Sequence, residues 1–140
     1  MTKFNVFFDH NCPPAMARML AGFLSYMKPT PRVHALSDVL PKDTKDVDWI
    51  TWLKDQGGEW IVVTENYRIA SVPAERQAFA EAGLRMLVAP RSVLSQPHEK
   101  RCAVLLWQWP NAVAAMERFE APVMWQLSPK IGGRLKQLTW

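Results

Sequence analysis

Residues 3–14 read KFNVFFDHNCPP, and this stretch decides which kind of fold the chain can form. A mainly apolar run ends abruptly at Asp9, which predicts a buried strand with a carboxylate at its carboxyl end. Pro13 and Pro14 then suit the first turn of a helix, because the N–H groups they lack would be unpaired there anyway. We expect Asn11 to cap that helix. A buried strand that leads directly into a helix is the start of a β-α-β unit.

Further apolar runs and helix signals repeat this pattern along the chain. The predicted strands are residues 33–36, 60–64 and 84–88; the predicted helices run from Asp46 to Gly57-Gly58, from Pro73 to Gly83, and onward from a cap at Ser95, with Pro110 kinking or breaking the last one. Residues 38–45 and 65–72 are predicted loops. The alternation of strands and helices indicates a parallel sheet with right-handed crossovers.

The C-terminal residues predict a different unit. PVMWQL, residues 122–127, and GRLKQL, residues 133–138, have strand-like patterns, with Gly132-Gly133 near the turn between them. We therefore expect a C-terminal β-hairpin that extends one edge of the sheet or packs beside it. A chain of 140 residues fits one domain, so we predict a single domain spanning residues 1–140.

The charged residues are unevenly distributed. Residues 1–90 contain ten Lys or Arg and ten Asp or Glu, whereas residues 91–140 contain seven basic and three acidic residues. This asymmetry suits an anionic partner held beside an acidic site, although a basic domain without such a partner is the alternative. No apolar run of eighteen residues and no signal-peptide pattern is present, so we expect a cytoplasmic protein without a membrane span. Cys12 and Cys102 have neither metal nor redox spacing and are expected to be free thiols.

Polar side chains follow the first two long strands, at the point where each strand ends. Asp9 and Asn11 come after the first strand, and Thr64, Glu65 and Asn66 end or follow the second. The carboxyl ends of parallel strands share one edge of a sheet, where ligands of open α/β folds bind. We expect these side chains to lie close together.

Two further carboxylates are expected at the same edge. Asp46 opens the helix that leads into the second long strand, and Glu75 lies in the first turn of the helix that leaves it. Either acid can instead stabilise a helix N-terminus through the dipole without forming a site. Together with Asp9 they would provide the hard oxygen ligands that Mg²⁺ or Mn²⁺ requires.

Sequence signatures of other catalytic classes are absent. The chain has no glycine-rich phosphate loop, no GxSxG, no HExxH and no paired CxxC motif, and its three histidines lack ligand-like spacing. A phosphatase of the haloacid-dehalogenase type is a weak alternative, because FFDHN partly matches the strand-Asp-x-Asp opening of that class. Its second acid works as a general acid, which Asn11 cannot do.

In their order and spacing, the motifs resemble the PIN-like family, specifically its compact bacterial branch related to the VapC toxins. The matching segments are FFDHNCPPAMARML, DVDWITWL, WIVVTENYRI, the PAE of residues 73–75, and the closing PVMWQL and GRLKQL. The resemblance covers nearly the whole chain. It implies a three-layer α/β/α sandwich around a mainly parallel sheet.

The resemblance also implies metal-dependent hydrolysis of RNA phosphodiester bonds. The family's metal ligands carry over directly to Asp9 and Asp46, and its third acid falls on Asn66, which brings a carbonyl oxygen but no charge. Glu65 or Glu75 is expected to supply the missing carboxylate. If neither does, the protein is a weakened PIN-like module that binds RNA or a protein partner without cutting. Asn11 and Thr64 are expected to support the site.

The resemblance further suggests which partners to expect. Arg68, Arg134 and Lys136 are candidate contacts for RNA phosphates, with a solvated surface as the alternative for each. If the protein is the toxin of a toxin–antitoxin pair, a cognate antitoxin binds it. PIN-like domains often form homodimers, and an exposed Trp107, Trp125 or Trp140 is a candidate for a partner surface.

Overall fold

The computed structural model describes residues 4–65 and 67–140, and in these a six-stranded sheet carries helices on both faces. The strands are β1 Phe4–Phe8, β2 Val33–Ala35, β3 Glu59–Thr64, β4 Arg85–Val88, β5 Met124–Gln126 and β6 Lys136–Leu138. The helices are α1 Pro14–Leu24, α2 Leu36–Val39, α3 Asp46–Gln56, α4 Pro73–Glu81, α5 Arg91–Leu94 and α6 His98–Glu117, with a 3₁₀ turn at Tyr67–Ala70. The strand order is β2-β1-β3-β4-β5-β6.

The sheet is parallel except at one edge. The first five strands pair in parallel, and β6 returns antiparallel to β5 as the second arm of the C-terminal hairpin. Successive side chains of a strand point to opposite faces. Phe8 and Val63 therefore join the core beneath α1 and α6, whereas Phe7 and Val62 join the core beneath α3 and α4. This arrangement confirms the predicted three-layer α/β/α sandwich around a mainly parallel sheet.

The helix boundaries differ from the predictions at three places. Pro13, not Asn11, occupies the N-cap position of α1 and makes no side-chain capping bond. Ser95 ends the short helix α5 instead of capping α6, which begins at His98 after Pro97. Pro110 does not break α6, because buried residues on both sides of it, Trp109 and Ala112, pack the helix into the core.

The two predicted loops contain short helical segments. Helix α2 covers the beginning of the stretch predicted as a loop at residues 38–45, and the 3₁₀ turn lies within the predicted loop at residues 65–72. Segments of four residues are too short to show a periodic apolar pattern, so the sequence carries little signal for them. Gly57 and Gly83 adopt positive φ angles directly after α3 and near the end of α4, as their expected role in ending those helices requires.

The tryptophans expected to form a partner surface differ in exposure. Trp107 is 69% exposed. Trp125 is half-buried, and the ring of Trp140 stacks on Phe79 with 5.0 Å between ring centroids. Of the three candidates, Trp107 is therefore exposed, whereas Trp125 is paired within the sheet and Trp140 packs against α4. Among the described residues, every helix is too short or too polar to cross a bilayer.

A buried glutamine fixes the turn of the C-terminal hairpin. Gln108 of α6 is 1% exposed. Its Nε2 donates to the carbonyl oxygens of Ser128 at 2.8 Å and Lys130 at 3.1 Å, and its Oε1 accepts the N–H of Ser128 at 2.9 Å. A buried amide is costly unless its donors and acceptors are paired. Gln108 meets this condition by holding main-chain groups of the turn.

Replacing Gln108 by methionine keeps the side-chain length but leaves these main-chain groups unpaired. We expect the free energy of unfolding to fall by about 1–3 kcal/mol, measured by urea denaturation. The matched control is Asn111→Met on the exposed side of the same helix, with an expected change within about 0.5 kcal/mol. Equal stability of the two variants would show that the turn does not depend on Gln108.

Candidate active site

Asp9 lies buried where β1 ends beside β3. Its side chain is 3% exposed. The Thr64 hydroxyl donates to Oδ2 at 2.5 Å, and the N–H of Asn11 donates to Oδ1 at 3.1 Å. The N–H of Asp9 itself donates to the Val63 carbonyl at 3.1 Å, which continues the parallel ladder by one residue. The register of the two strands therefore holds this carboxylate in place.

The surroundings of Asp9 disfavour its charged form. Burial raises the pKa of Asp9 to about 6 from its ordinary value of 3.8. The hydrogen bond from Thr64, the charge of His10 and the N–H of Asn11 lower the pKa, and the nearby charge of Asp46 raises it. A cation beside Asp9 would offset the cost of its charge.

A polar cavity of about 240 Å³ opens at this edge of the sheet. Its lining residues are Asp9, His10, Asn11, Asp46, Arg68 and Ile69. Asp46 reaches the cavity because α3 begins there, and the indole N–H of Trp49 donates to its Oδ1 at 2.9 Å. Trp49 is itself buried in the core, so packing of α3 orients the carboxylate. Carboxylates 37 residues apart in sequence thus face one cavity.

Glu75 adds a third carboxylate next to Asp46. Burial raises the pKa of Glu75, the charge of Asp46 and a hydrogen bond with it raise it further, and the charge of Arg68 lowers it. The buried Oε1 atom of Glu75 has no hydrogen-bond partner among residues 4–65 and 67–140. A buried carboxylate oxygen without a partner, beside a second carboxylate, is an arrangement that a cation would satisfy.

Glu65 takes a different direction from the one expected. Its Oε2 lies 3.7 Å from Nη1 of Arg91, and the residue is not part of the cavity lining. The charges of Asp9 and Glu65 both act on Cys12, whose pKa is raised well above its ordinary value, mainly by burial. Cys12 therefore stays a neutral thiol at neutral pH, and its Sγ donates to the Val63 carbonyl at 3.6 Å. Arg91 is not among the predicted site residues, although it closely follows the carboxyl end of β4.

The remaining predicted site residues do not all line the cavity. Asn66 lies outside the described residues. Arg68 lines the cavity and is close enough to Glu75 to affect its pKa. Arg134 and Lys136 are not part of the cavity lining; Lys136 opens β6, where it pairs with Gln126.

The donor set suits a hard divalent cation in kind, although it is incomplete. Asp9, Asp46 and Glu75 offer carboxylate oxygens, which are the ligands that Mg²⁺ and Mn²⁺ prefer. Within the described part of the chain, no group of three or more His, Cys, Asp or Glu residues forms a ready-made metal site. Asp9 and Asp46 are the residues that would hold an ion here, with Glu75 adjacent.

Replacing Asp9 by asparagine should stabilise the metal-free protein at neutral pH. Because the folded chain holds a proton on Asp9 more strongly than the unfolded chain, the stability from this group is complete below about pH 4 and is lost as the pH rises through about 6. The pKa difference corresponds to about 3 kcal/mol, and one lost hydrogen bond offsets about 1 kcal/mol of it. We therefore expect a gain of about 2 kcal/mol at neutral pH that disappears near pH 4.

Urea unfolding in the presence of a chelator measures this difference. The matched control is Asp43→Asn, which removes the same charge from an exposed loop and should change the free energy of unfolding by less than about 0.5 kcal/mol. A loss of stability in the Asp9 variant at neutral pH would mean that its hydrogen bonds outweigh its burial.

A model of the family described as "PIN like domain" matches residues 4–91, which is more than half of the chain. The match includes Asp9, Asp46 and Glu75, together with strands β1 to β4. No curated protein and no solved structure matches the chain significantly. The family generally includes nucleases, and these typically use divalent metals. With its mainly parallel six-stranded sheet flanked by helices, the chain belongs to the PIN-like domain family.

Proposed function

We propose that this protein is a metal-dependent ribonuclease that hydrolyses RNA phosphodiester bonds. The observation that carries the proposal is the shared cavity, in which the buried Asp9 carboxylate faces Asp46 with Arg68 at the wall. Burial raises the pKa of Asp9, and the charge of Asp46 raises it further, so two ionised carboxylates in this cavity are unfavourable without a cation. Membership of a family that generally includes nucleases supports the same conclusion.

Asp9 and Asp46 would hold the cation, with Glu75 as the adjacent third carboxylate. When bound, Mg²⁺ or Mn²⁺ would activate water as a Lewis acid and offset charge on the scissile phosphate. The chain itself provides the orientation. Thr64 fixes one oxygen of Asp9, and Trp49 fixes one oxygen of Asp46, so both carboxylates are preorganised by groups of the folded core.

Arg68 is the candidate contact for the substrate phosphate at the cavity. It follows β3 within the 3₁₀ turn, is exposed to solvent and lines the same cavity as the two carboxylates. Guanidinium groups bind phosphate oxygens through paired N–H donors. An arginine at the wall of an acidic cavity would bring the anionic substrate close to carboxylates that otherwise repel it.

Removal of either cavity carboxylate should abolish cleavage. Purified protein is expected to cut a labelled RNA in the presence of Mn²⁺ or Mg²⁺, and Asp9→Asn and Asp46→Asn should each reduce the rate by at least about 100-fold, since each removes a carboxylate that would hold the cation. Asp43→Asn, an equal loss of charge outside the cavity, should retain the wild-type rate. Equal cleavage by the wild type and the Asp9 variant would refute the assignment.

A catalytically weakened PIN-like module that binds RNA or a protein partner is the second candidate function. Two observations favour it: asparagine occupies the position where the resemblance expects an acid, and the described residues contain no cluster of three or more His, Cys, Asp or Glu residues suited to a metal. A role as the toxin of a toxin–antitoxin pair, binding of an antitoxin and assembly as a homodimer stay predictions of the resemblance.

Restoring the acid separates the two candidates. We expect Asn66→Asp to tighten Mn²⁺ binding about tenfold, because a carboxylate adds charge to the site, and to raise cleavage by a comparable factor. Titration calorimetry and the RNA assay measure both effects, with Asn111→Asp on the exposed surface of α6 as control. A gain of cleavage far above 100-fold, from a nearly inactive wild type, would identify the natural protein as the weakened module.

A further inference from the structure

We propose that the RNA strand leaves the Asp9 cavity in one direction, along the carboxyl edge of the sheet across β4 and β5 to β6. This inference rests on the proposed function, since it concerns the segment of RNA beside the scissile phosphate. The surface in question, here called the exit track, comprises Tyr67, Arg91, Gln126, Lys130 and Lys136.

The sheet register places two members of the exit track, Gln126 and Lys136, in one row with the end of β3 that holds Asp9. Thr64, which holds Asp9, pairs with Val88 on β4; Val88 pairs with Gln126, and Gln126 pairs with Lys136. Paired residues of adjacent strands point to the same face. The row lies on the face covered by α3 and α4, because Val88 and the neighbours of the other members belong to that core. From β1 to β6 the row spans four strand spacings, about 19 Å.

Exposure increases along this row away from the cavity. Thr64 and Val88 are buried, Gln126 is half-buried and Lys136 is exposed. The amide of Gln126 and the ammonium group of Lys136 are therefore accessible to an RNA strand at β5 and β6. At β3 and β4 the row is part of the protein core, whereas at β5 and β6 it presents hydrogen-bonding groups and a positive charge to solvent.

Two further side chains lie between the cavity and β6. Tyr67 opens the 3₁₀ turn after β3 and is 53% exposed, so its ring can serve as a stacking surface for a base. Arg91 follows the carboxyl end of β4 and is also exposed, with one weak ion pair to Glu65. The strand ends between the cavity and β6 thus carry an aromatic ring and a cation.

The charged residues on the two sides of the cavity distinguish the two directions in which an RNA strand could leave it. Residues 121–140 contain Lys130, Arg134 and Lys136 and no acid. On the other side of the cavity, residues 38–48 connect the carboxyl end of β2 to α3. Apart from Asp46, which lines the cavity, and Asp38, which pairs with Arg18 at 2.7 Å, they contain two Asp and two Lys. The surplus of positive charge therefore lies on the β6 side, and it attracts phosphates in that direction.

The hairpin turn that carries Lys130 is held rigidly. Gln108 bonds the main-chain atoms of Ser128 and Lys130 from inside the protein. These bonds use only the carbonyl of Lys130, so its exposed side chain remains available for an anion. A turn fixed before binding loses less conformational entropy when the ligand binds.

The salt dependence of RNA binding tests the exit track. The probe is a short labelled single-stranded RNA, and its affinity for the full chain is measured by fluorescence anisotropy at several salt concentrations with a chelator present to prevent cleavage. Each phosphate contact contributes about 0.7 to the slope of log affinity against log salt for single strands. The double variant K130Q/K136Q should therefore lower the magnitude of the slope by about 1.4.

Two matched variants separate local contacts from general charge. K54Q/R118Q removes two exposed positive charges near the amino edge of the sheet and should leave the slope unchanged. Tyr67→Ala should weaken binding about tenfold with little change of slope, because stacking is not an ion contact. Equal loss of slope in both double variants would overturn the exit track, and so would undiminished affinity of the Tyr67 variant.

The outcomes distinguish this inference from the proposed function. A wild-type protein that binds RNA with the expected slope change but never cleaves it with Mn²⁺ would overturn the nuclease assignment and support the exit track. A wild-type protein that cleaves RNA while K130Q/K136Q retains the full slope would overturn the exit track alone. Unaltered circular dichroism spectra of all variants verify that they fold.

Discussion

The burial of Asp9 at the junction of β1 and β3 is the constraint around which the site is organised. A carboxylate in this position is costly to ionise, as its pKa of about 6 shows. Its hydrogen bonds come from the two strand ends themselves: Thr64 from β3, and the chain after β1 through the N–H of Asn11. The parallel register of the sheet therefore determines the position of this carboxylate in the candidate active site.

Helix N-termini account for the other two carboxylates. Asp46 and Glu75 each lie in the first turn of a helix on the same face of the sheet, where the helix dipole favours negative charge. That position also brings both acids to one edge of the sheet, because both helices begin there: Asp46 lines the cavity with Asp9, and Glu75 lies beside Asp46. These acids can therefore stabilise a helix N-terminus and also contribute to the site. Trp49 packs in the core while its indole N–H donates to Asp46, so the packing of α3 orients this carboxylate.

The C-terminal hairpin contributes basic residues to the structure. It lies beyond the matched residues 4–91 and adds β5 and β6 to the sheet. Its cations lie at the same edge as the acidic cavity, and Gln108 fixes its turn from within α6. The carboxyl edge therefore carries carboxylates near β1 and a cation at β6.

The sequence by itself determined the elements and their order. Apolar runs, prolines and glycines marked β1, β3, β4, α3 and α4, and the position of Asp9 and Asp46 at one edge followed from parallel strand pairing alone. Only the tertiary structure decided where the side chains beyond the strand ends turn: Glu75 toward Asp46, and Glu65 toward Arg91. The N-cap positions at Pro13 and Pro97, which replace the predicted caps Asn11 and Ser95, and the role of Gln108 were equally beyond the sequence. Local patterns record periodicity and turn preference, whereas these features depend on contacts between residues distant in sequence, such as Gln108 and Ser128.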